Sequence, residues 1–408
     1  MAETTGPLNG IRILDLSRVL AGPSCTQLLG DLGAEVIKVE RPGVGDETRT
    51  WGPPYVTDAD GADTSEAAYY LSANRNKRSV AIDMSQAEGV DLVKRLLATS
   101  DVLIENFKVG GLAKYGLGYD DLKADFPDLV YCSITGFGQT GPYAPRPGYD
   151  MMAQGAGGLI SMTGEPGRPP VKVPIAINDV MTGMYAAVAI LAALRHRDDG
   201  GRGQHIDLGL LDVQVAWLFN QGLNYLTGGV VPERLGTAHP NTVPYQAFET
   251  SDGFIILACN NDAQFERFCG LAGRQDLLED ERFASNPARV RNRDVVTETV
   301  AGIVKARPSA YWIEELEKVS VSCCPINTLD QVFQDPQVQA RGMIMNMDHP
   351  LAGDGSVDLI SNPIRMSETP PSYRRPPPTL GQHTDEVLAE VLDLDAAALD
   401  DLRARNII

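Results

Sequence analysis

IRILDLSRVLAGPSCTQLLGDLGAEVIKVE, residues 11–40, decides the fold. IRILDL (Ile11–Leu16) is a short apolar run of the kind that forms a buried strand. Pro23, after Gly22, opens a helix that runs through Thr26, Leu28 and Leu29, and Gly33 closes it. AEVIKVE (Ala34–Glu40) is the next strand. Two strands joined through a helix are parallel, so this unit predicts an open α/β sheet.

The pattern continues outward. RSVAIDM (Arg78–Met84), DVLIEN (Asp101–Asn106) and LVYCSIT (Leu129–Thr135) read as further strands, and Glu88–Leu97 carries a helical stripe at Val90, Val93, Leu96 and Leu97. Residues 136–170 are rich in glycine and proline and predict loops with short elements. An apolar helix over about 180–196 has little polar surface on any side, so it is expected to be buried all round. GGRGQ (200–204) is a turn, HIDLGL a strand, and a helix follows from Asp212 to about Tyr225. The predicted architecture is an α/β fold: an open, mostly parallel Rossmann-like sheet in a large domain (1–228), a smaller α+β domain (229–328), and a segment (329–408) that returns to the large domain through a helix at Thr384–Leu392.

The chain has 408 residues, 43% hydrophobic and 22% charged, with a net charge of −19. It has ample apolar material for a core, and it lacks the broad basic footprint of a nucleic-acid binder. Six cysteines are too few for a disulfide scaffold, and the adjacent pair Cys323–Cys324 is poorly spaced for a metal, so no metal site is expected. MAETTGPLNG has no basic region followed by an apolar one. The apolar stretch around Ala186–Leu194 is shorter than the roughly 20 residues of a membrane span. A reduced, cytoplasmic protein without a membrane or nucleic-acid partner is expected. GxGxxG on a strand–helix turn, GxxxxGK[ST], HExxH and GxSxG are all absent.

Two features can carry chemistry. Asp179, in IAINDVMTGM, stands immediately ahead of the apolar helix. It suits an N-cap, and it suits a carboxylate nucleophile; a helix N-terminus favours the ionised form in both roles. A set of cations, Arg41, Arg75, Lys77, Arg78, Lys108 and Lys114, flanks the strands where α/β sheets bind ligands, and a phosphorylated ligand would suit them.

Residues 8–46, LNGIRILDLSRVLAGPSCTQLLGDLGAEVIKVERPGVGD, resemble the opening of the class III CoA-transferases, the family of formyl-CoA transferase, carnitine CoA-transferase and the α-methylacyl-CoA racemases. The resemblance continues through NRNKRSVAIDM, DVLIENFKVGGLAKYGLGYDDL, SITGFGQTGPYAPRPGYDMMAQGAGGLISMTGEP, INDVMTGMYAAVAILAAL, GRGQHIDLGLLD and PPPTLGQHTDEVL. LGTAHPNTVPYQAFETSDGFIILACNNDAQF and PINTLDQVFQDPQVQARGM are most similar to the dicarboxylate branch, the succinate–hydroxymethylglutarate (glutaryl) CoA-transferases.

The resemblance implies that Asp179 is the nucleophile of a CoA transfer, through an aspartyl–acyl anhydride and an aspartyl-CoA thioester. The expected donor is succinyl-CoA and the expected acceptor a dicarboxylic acid. It implies CoA contacts at Val19, Leu20 and Ala21, at Arg41, at Asp83, Met84 and Ser85, at Asn106, Phe107 and Lys108, at Lys114, and at Arg146 and Tyr149. Lys114 stands where formyl-CoA transferase has an arginine. Arg18, Arg234 and His239 are the candidates for the acceptor's distal carboxylate, and Gly155, Gly157 and Gly158 for close backbone approach to an oxyanion. The CoA thioester is expected as substrate, with no permanently bound cofactor, and the family fold implies an interlocked homodimer. The alternative is a 2-methylacyl-CoA racemase or epimerase. There a histidine base precedes an aspartate; Tyr149 stands at that place here, and a phenol with an ordinary pKa near 10 is a poor base. A glycine-rich lid loop, a feature of formyl-CoA transferase, is not evident between 226 and 260.

Overall fold

The computed structural model describes residues 6–408, which divide into two compact units. The first comprises the described chain up to Gly157, Pro174–Trp217 and Gln337–Ile408; the second comprises Gly158–Val173 and Leu218–Pro336.

The first unit is built on six parallel strands: β1 (Arg12–Asp15), β2 (Glu35–Glu40), β3 (Lys77–Ala81), β4 (Val102–Glu105), β5 (Val130–Thr135) and β6 (His205–Gly209). Their order across the sheet is β3-β2-β1-β4-β5-β6, the doubly wound Rossmann order, so the α/β expectation is met. All six lie where the apolar runs put them. The order reverses between β1 and β4, and the crevice beyond their carboxyl ends is where such a sheet takes a ligand.

Five helices matter for that crevice or its supports: α1 (Ala21–Asp31), α2 (Ala87–Leu97), α3 (Asp150–Ala156), α4 (Ile177–Asp198) and α5 (Leu210–Ala216). One face of the sheet packs Ile13, Val36, Val102, Ile104 and Val130 against α1 and α4; the other packs Leu14, Ile37, Val80 and Leu103 against α2 and the C-terminal helix Thr384–Leu392. Helices α1 and α4 approach closely because Gly183 has no side chain: a Cβ there would stand 2.6 Å from the Ala21 carbonyl oxygen.

Three expectations change. Helix α4 is not buried all round. Gly183, Ala186, Ala187, Ile190 and Ala193 face the core, while Met184, Tyr185, Val188 and Leu191 form an exposed apolar stripe. At 22 residues α4 also has the length and apolarity of a membrane span, beyond the shorter run seen in the sequence; half of that stretch is buried against the unit's own core. Finally, the helix expected over 212–225 is two. α5 ends at Ala216 and Phe219–Gly228 follows, with Phe219 at φ 41° in the break.

The second unit holds an antiparallel sheet of Tyr245–Glu249, Phe254–Ala258 and Ser322–Pro325, with helices that include Asp262–Ala272, Arg293–Val304 and Ser309–Lys318. Its core gathers Phe265, Phe268, Phe283 and Trp312. Arg289 is fully buried there, its guanidinium donating to the carbonyls of Val243 and Phe283 and to Asp262.

Candidate active site

The crevice is shaped first by the turn after β1. Val19 sits at φ 68°, a left-handed conformation that a β-branched residue rarely adopts and that costs on the order of 1–3 kcal/mol. Its surroundings hold it there. The Val19 N–H is shared by both carboxylate oxygens of Asp46, at 3.2 and 3.1 Å. Asp46 is itself held by Lys38, whose ammonium also reaches the Ser17 carbonyl. Asn106, just past β4, brackets the neighbouring residue: its Oδ1 accepts from the Arg18 N–H (2.9 Å) and its Nδ2 donates to the Arg18 carbonyl (2.7 Å). The two loops at the topological switch are thereby joined through backbone groups.

Asp179 enters from the other side. It does not cap α4; it lies in the first turn, the third helical residue, and Ala176 at the N-cap position offers no side-chain bond. The capping oxygen comes from Asp150 at the start of α3. Its Oδ1 accepts from the Asn178 N–H at 2.8 Å and from the Asp179 N–H at 3.4 Å. The side chain of Asp179 is left free for other work. Burial, reinforced by the negative charge of Asp150, pushes its pKa up to about 7. The sequence argument that the helix terminus would favour the ionised form therefore loses to desolvation.

Asp179 lines a cavity of about 180 Å³ in the first unit. Val19, Leu20 and Ala21 contribute to it from the turn after β1, and Asn106, Phe107 and Lys108 from the loop after β4. Arg146 and Tyr149 complete its rim. The loop before α3 reaches the end of β5 because Gly136 and Gly148 touch back to back: a Cβ on Gly148 would lie 2.2 Å from the Gly136 Cα. A second cavity of about 390 Å³ is lined by Arg41, Asp83, Met84 and Ser85. Phe107, Arg18 and Glu47 line both. Of the CoA contacts expected from the resemblance, Lys114 lines neither; its ammonium stacks on the ring of Tyr115, which borders the second cavity.

Arg234 and His239 belong to the second unit. Arg234 donates to the Ser161 carbonyl there, and His239 stacks on Tyr245 and accepts the Asn241 N–H. Burial lowers the pKa of His239, so it is held toward its neutral form.

The cation set is corrected in part. Arg75, Lys77 and Arg78 are buried and already paired, with Asp31, Asp15 and Glu35 respectively, and Arg78 also with Glu386 and Glu390. They brace the sheet and offer nothing to a phosphate. Arg41 and Lys108 remain exposed. The oxyanion role inferred for the glycines is also revised: Gly157 donates its N–H to Ala153 and packs on Gln214, and neither it nor Gly155 lines the cavity. Tyr69 escaped the sequence reading. It packs edge-on against Trp51, and its phenol is pushed up by burial and then by the fields of Asp179 and Asp150. Glu47 and Asp46 were missed too, although the acidic pair directly after the glycine turn GVG was a visible signal.

A family model described as CoA-transferase family III matches residues 8–384. The chain is 50% identical over 399 residues to a succinate–glutarate CoA-transferase of Agrobacterium fabrum, covering 98% of this chain and 99% of that protein. It is 44% identical over 402 residues to a human succinyl-CoA:glutarate CoA-transferase, covering 98% and 90%. Among solved structures, a CAIB/BAIF family protein from Brucella suis superposes with a TM-score of 0.82 at 48% identity, covering 95% of this chain and all of that one.

Proposed function

The chain belongs to CoA-transferase family III and is an enzyme that transfers CoA; on that premise we propose that it moves CoA from succinyl-CoA to a dicarboxylic acid, with Asp179 as the covalent carrier. Relatives at 50% and 44% identity are named for succinate or succinyl-CoA and glutarate, which supports a dicarboxylate on both sides of the reaction.

The observation that carries the reading is the state of Asp179: a carboxyl kept free of local hydrogen-bonding duty, largely desolvated, in a cavity at the switch point of the sheet. A carboxylate stripped of water is a stronger nucleophile than a hydrated one, and a dry cavity protects an anhydride from hydrolysis. In the proposed sequence, an Asp179 oxygen attacks the thioester carbonyl and CoA leaves as thiolate, giving the mixed anhydride. The thiolate attacks the Asp179 carbonyl, forming aspartyl-CoA and releasing the donor acid as carboxylate. The acceptor carboxylate then attacks that thioester and expels the thiolate. The thiolate takes the acceptor's acyl carbonyl from the new anhydride, and the Asp179 carboxylate is restored. Each step exchanges one acyl bond for another, so neither water nor ATP is consumed.

The acyl-CoA is read as lying with its nucleotide end in the larger cavity, beside Arg41 and Ser85, and its pantetheine arm passing Phe107 toward Asp179. Lys108, Lys114 and Arg146 keep charged ends at the surface for its phosphates. The apolar stripe of α4 supports a homodimer, since a second copy would cover it.

The experiment is a trap. Enzyme incubated with succinyl-CoA and then treated with hydroxylamine or borohydride is expected to carry a modification at Asp179 in the peptide mass spectrum. Asp179→Ala is expected to lose both the modification and turnover. Because only the ionised carboxylate attacks, kcat/KM is expected to rise with pH through about 7 and then level off. Full activity in Asp179→Ala would refute the assignment.

A further inference from the structure

The wall between the two cavities contains an ion pair that no fold requirement explains. Nη1 of Arg18 is bonded to Oε1 of Glu47, and both side chains are a little over 40% exposed. The other acid–base pairs that frame this turn are sealed: Lys38–Asp46 and Lys77–Asp15 are wholly buried, and Arg49–Glu40 nearly so. Arg18–Glu47 alone among these is open to an incoming solute.

Both partners are also incompletely satisfied. The second oxygen of Glu47, Oε2, is buried without a donor among the described residues. Arg18 spends one nitrogen on Glu47 and keeps Nε and Nη2 without partners among the described residues, while its guanidinium rests 5.3 Å from the Phe107 ring centroid. A guanidinium fork is built to take a carboxylate on two nitrogens, and here it holds one on a single nitrogen. A half-exposed pair of this kind contributes little to stability, so a second carboxylate can compete for the arginine on nearly equal terms.

We propose that Glu47 is the resident stand-in for the substrate's distal carboxylate: a dicarboxylic acid reacting at Asp179 sets its far end on Arg18 and displaces Glu47, which lines both cavities and can turn into the larger one. The inference rests on the covalent role of Asp179 proposed above and names what selects the acid. Donor acyl group and acceptor visit the same carboxylate in turn, so a single cation serves both. A monocarboxylic acid has nothing to exchange with Glu47 and leaves the pair closed.

The test compares a dicarboxylic acid with its own monoamide, which keeps the length and loses the distal charge. Glutarate and glutaramate are the probes, with succinyl-CoA as donor. In Arg18→Gln the kcat/KM preference for glutarate over glutaramate is expected to fall about tenfold or more. In Glu47→Gln, with the competing anion gone, the KM for glutarate is expected to drop severalfold relative to glutaramate. Thermal unfolding of both variants checks that the turn still folds, and Arg18→Lys, which restores the charge without the fork, is expected to recover part of the preference. A preference that is the same in Arg18→Gln as in the parent enzyme, or a Glu47→Gln effect equal for both acids, overturns the proposal. Exchange of labelled succinate into succinyl-CoA by the parent enzyme, where Arg18 and Glu47 are intact, reports the Asp179 cycle; its absence there would overturn that cycle, whatever the acid preferences of the Arg18 and Glu47 variants.

Discussion

Replacing Asp179 by asparagine removes the carboxyl proposed as the nucleophile, and the burial of that carboxyl predicts that the change also stabilises the protein, in a way that depends on pH. The carboxyl is held at about 7 in the fold against an ordinary 3.8, chiefly by burial and secondarily by Asp150. At about 1.4 kcal/mol per pH unit the full penalty is a little over 4 kcal/mol, and the solvent contact that Asp179 keeps reduces it to roughly 2–4 kcal/mol. The native state holds its proton more tightly than the unfolded chain, so stability falls as pH rises from about 4 to about 7, and the whole penalty applies above that window. Asparagine has no proton to lose and escapes it. The unfolding temperature of Asp179→Asn is therefore expected to exceed that of the parent by about 4–8 °C near pH 8.5, taking about 2 °C per kcal/mol for a unit of this size, and by less than half as much near pH 5. Differential scanning calorimetry at the two pH values measures this directly. An equal gain at both would mean the effect is packing and not charge; a loss near pH 8.5 would refute the picture of a desolvated, poised carboxylate.

Other substitutions probe the framework. In Gly183→Ala the new methyl meets the Ser24 hydroxyl at 2.3 Å and the Ala21 carbonyl at 2.6 Å, wedging α1 from α4; a loss of about 1–3 kcal/mol in denaturant unfolding is expected, with a raised KM for acyl-CoA because the Val19–Ala21 turn moves with α1. In Lys38→Met, Asp46 loses its buried cation and Ser17 its donor; about 3–5 kcal/mol of stability is expected to go. Activity surviving at the permissive temperature should show a KM raised more than kcat is lowered, since the strained Val19 turn is what Asp46 holds.

How far the sequence could be read depended on whether the partner of each residue was local. The strands were legible because apolar runs of four to seven residues, bounded by turns, state their own burial. The start of α4 was misplaced because its cap is Asp150, 29 residues upstream of Asp179. Ala176 at the N-cap position carries no capping group, so Asp179 reads as the cap. Arg75, Lys77 and Arg78 looked like phosphate ligands for the same reason. The acids that neutralise them lie on α1, β1 and β2, and pairing between neighbouring strands leaves no mark in a single stretch of sequence. The exposed stripe on α4 was hidden by composition: alanine and glycine on one side and larger apolar residues on the other look alike until the helix is packed.

The buried charges at the carboxyl end of the sheet have a common logic. Asp15, Lys38, Glu40, Asp46 and Lys77 would cost several kcal/mol each if left alone, and well-packed apolar residues in their place are often no less stable. Their bonds, however, end on the backbone of the loops and of the first turn of α1. Asp15 takes the Ser17 N–H, Glu40 the Asp46 N–H and Asp46 the N–H groups of Val19 and Thr48, while Lys38 and Lys77 reach the carbonyls of Ser17 and Pro23. An apolar core cannot direct a backbone N–H, and a charged one can. The same network that fixes the turn under strain leaves Arg18 and Glu47, at its open edge, as the half-exposed pair proposed to trade partners. The proposed exchange would thus leave the backbone rigid and run through side chains alone, and that division predicts tight amide-hydrogen protection at Ser17, Arg18 and Val19, whose N–H groups are bonded to Asp15, Asn106 and Asp46, whether or not an acid is bound.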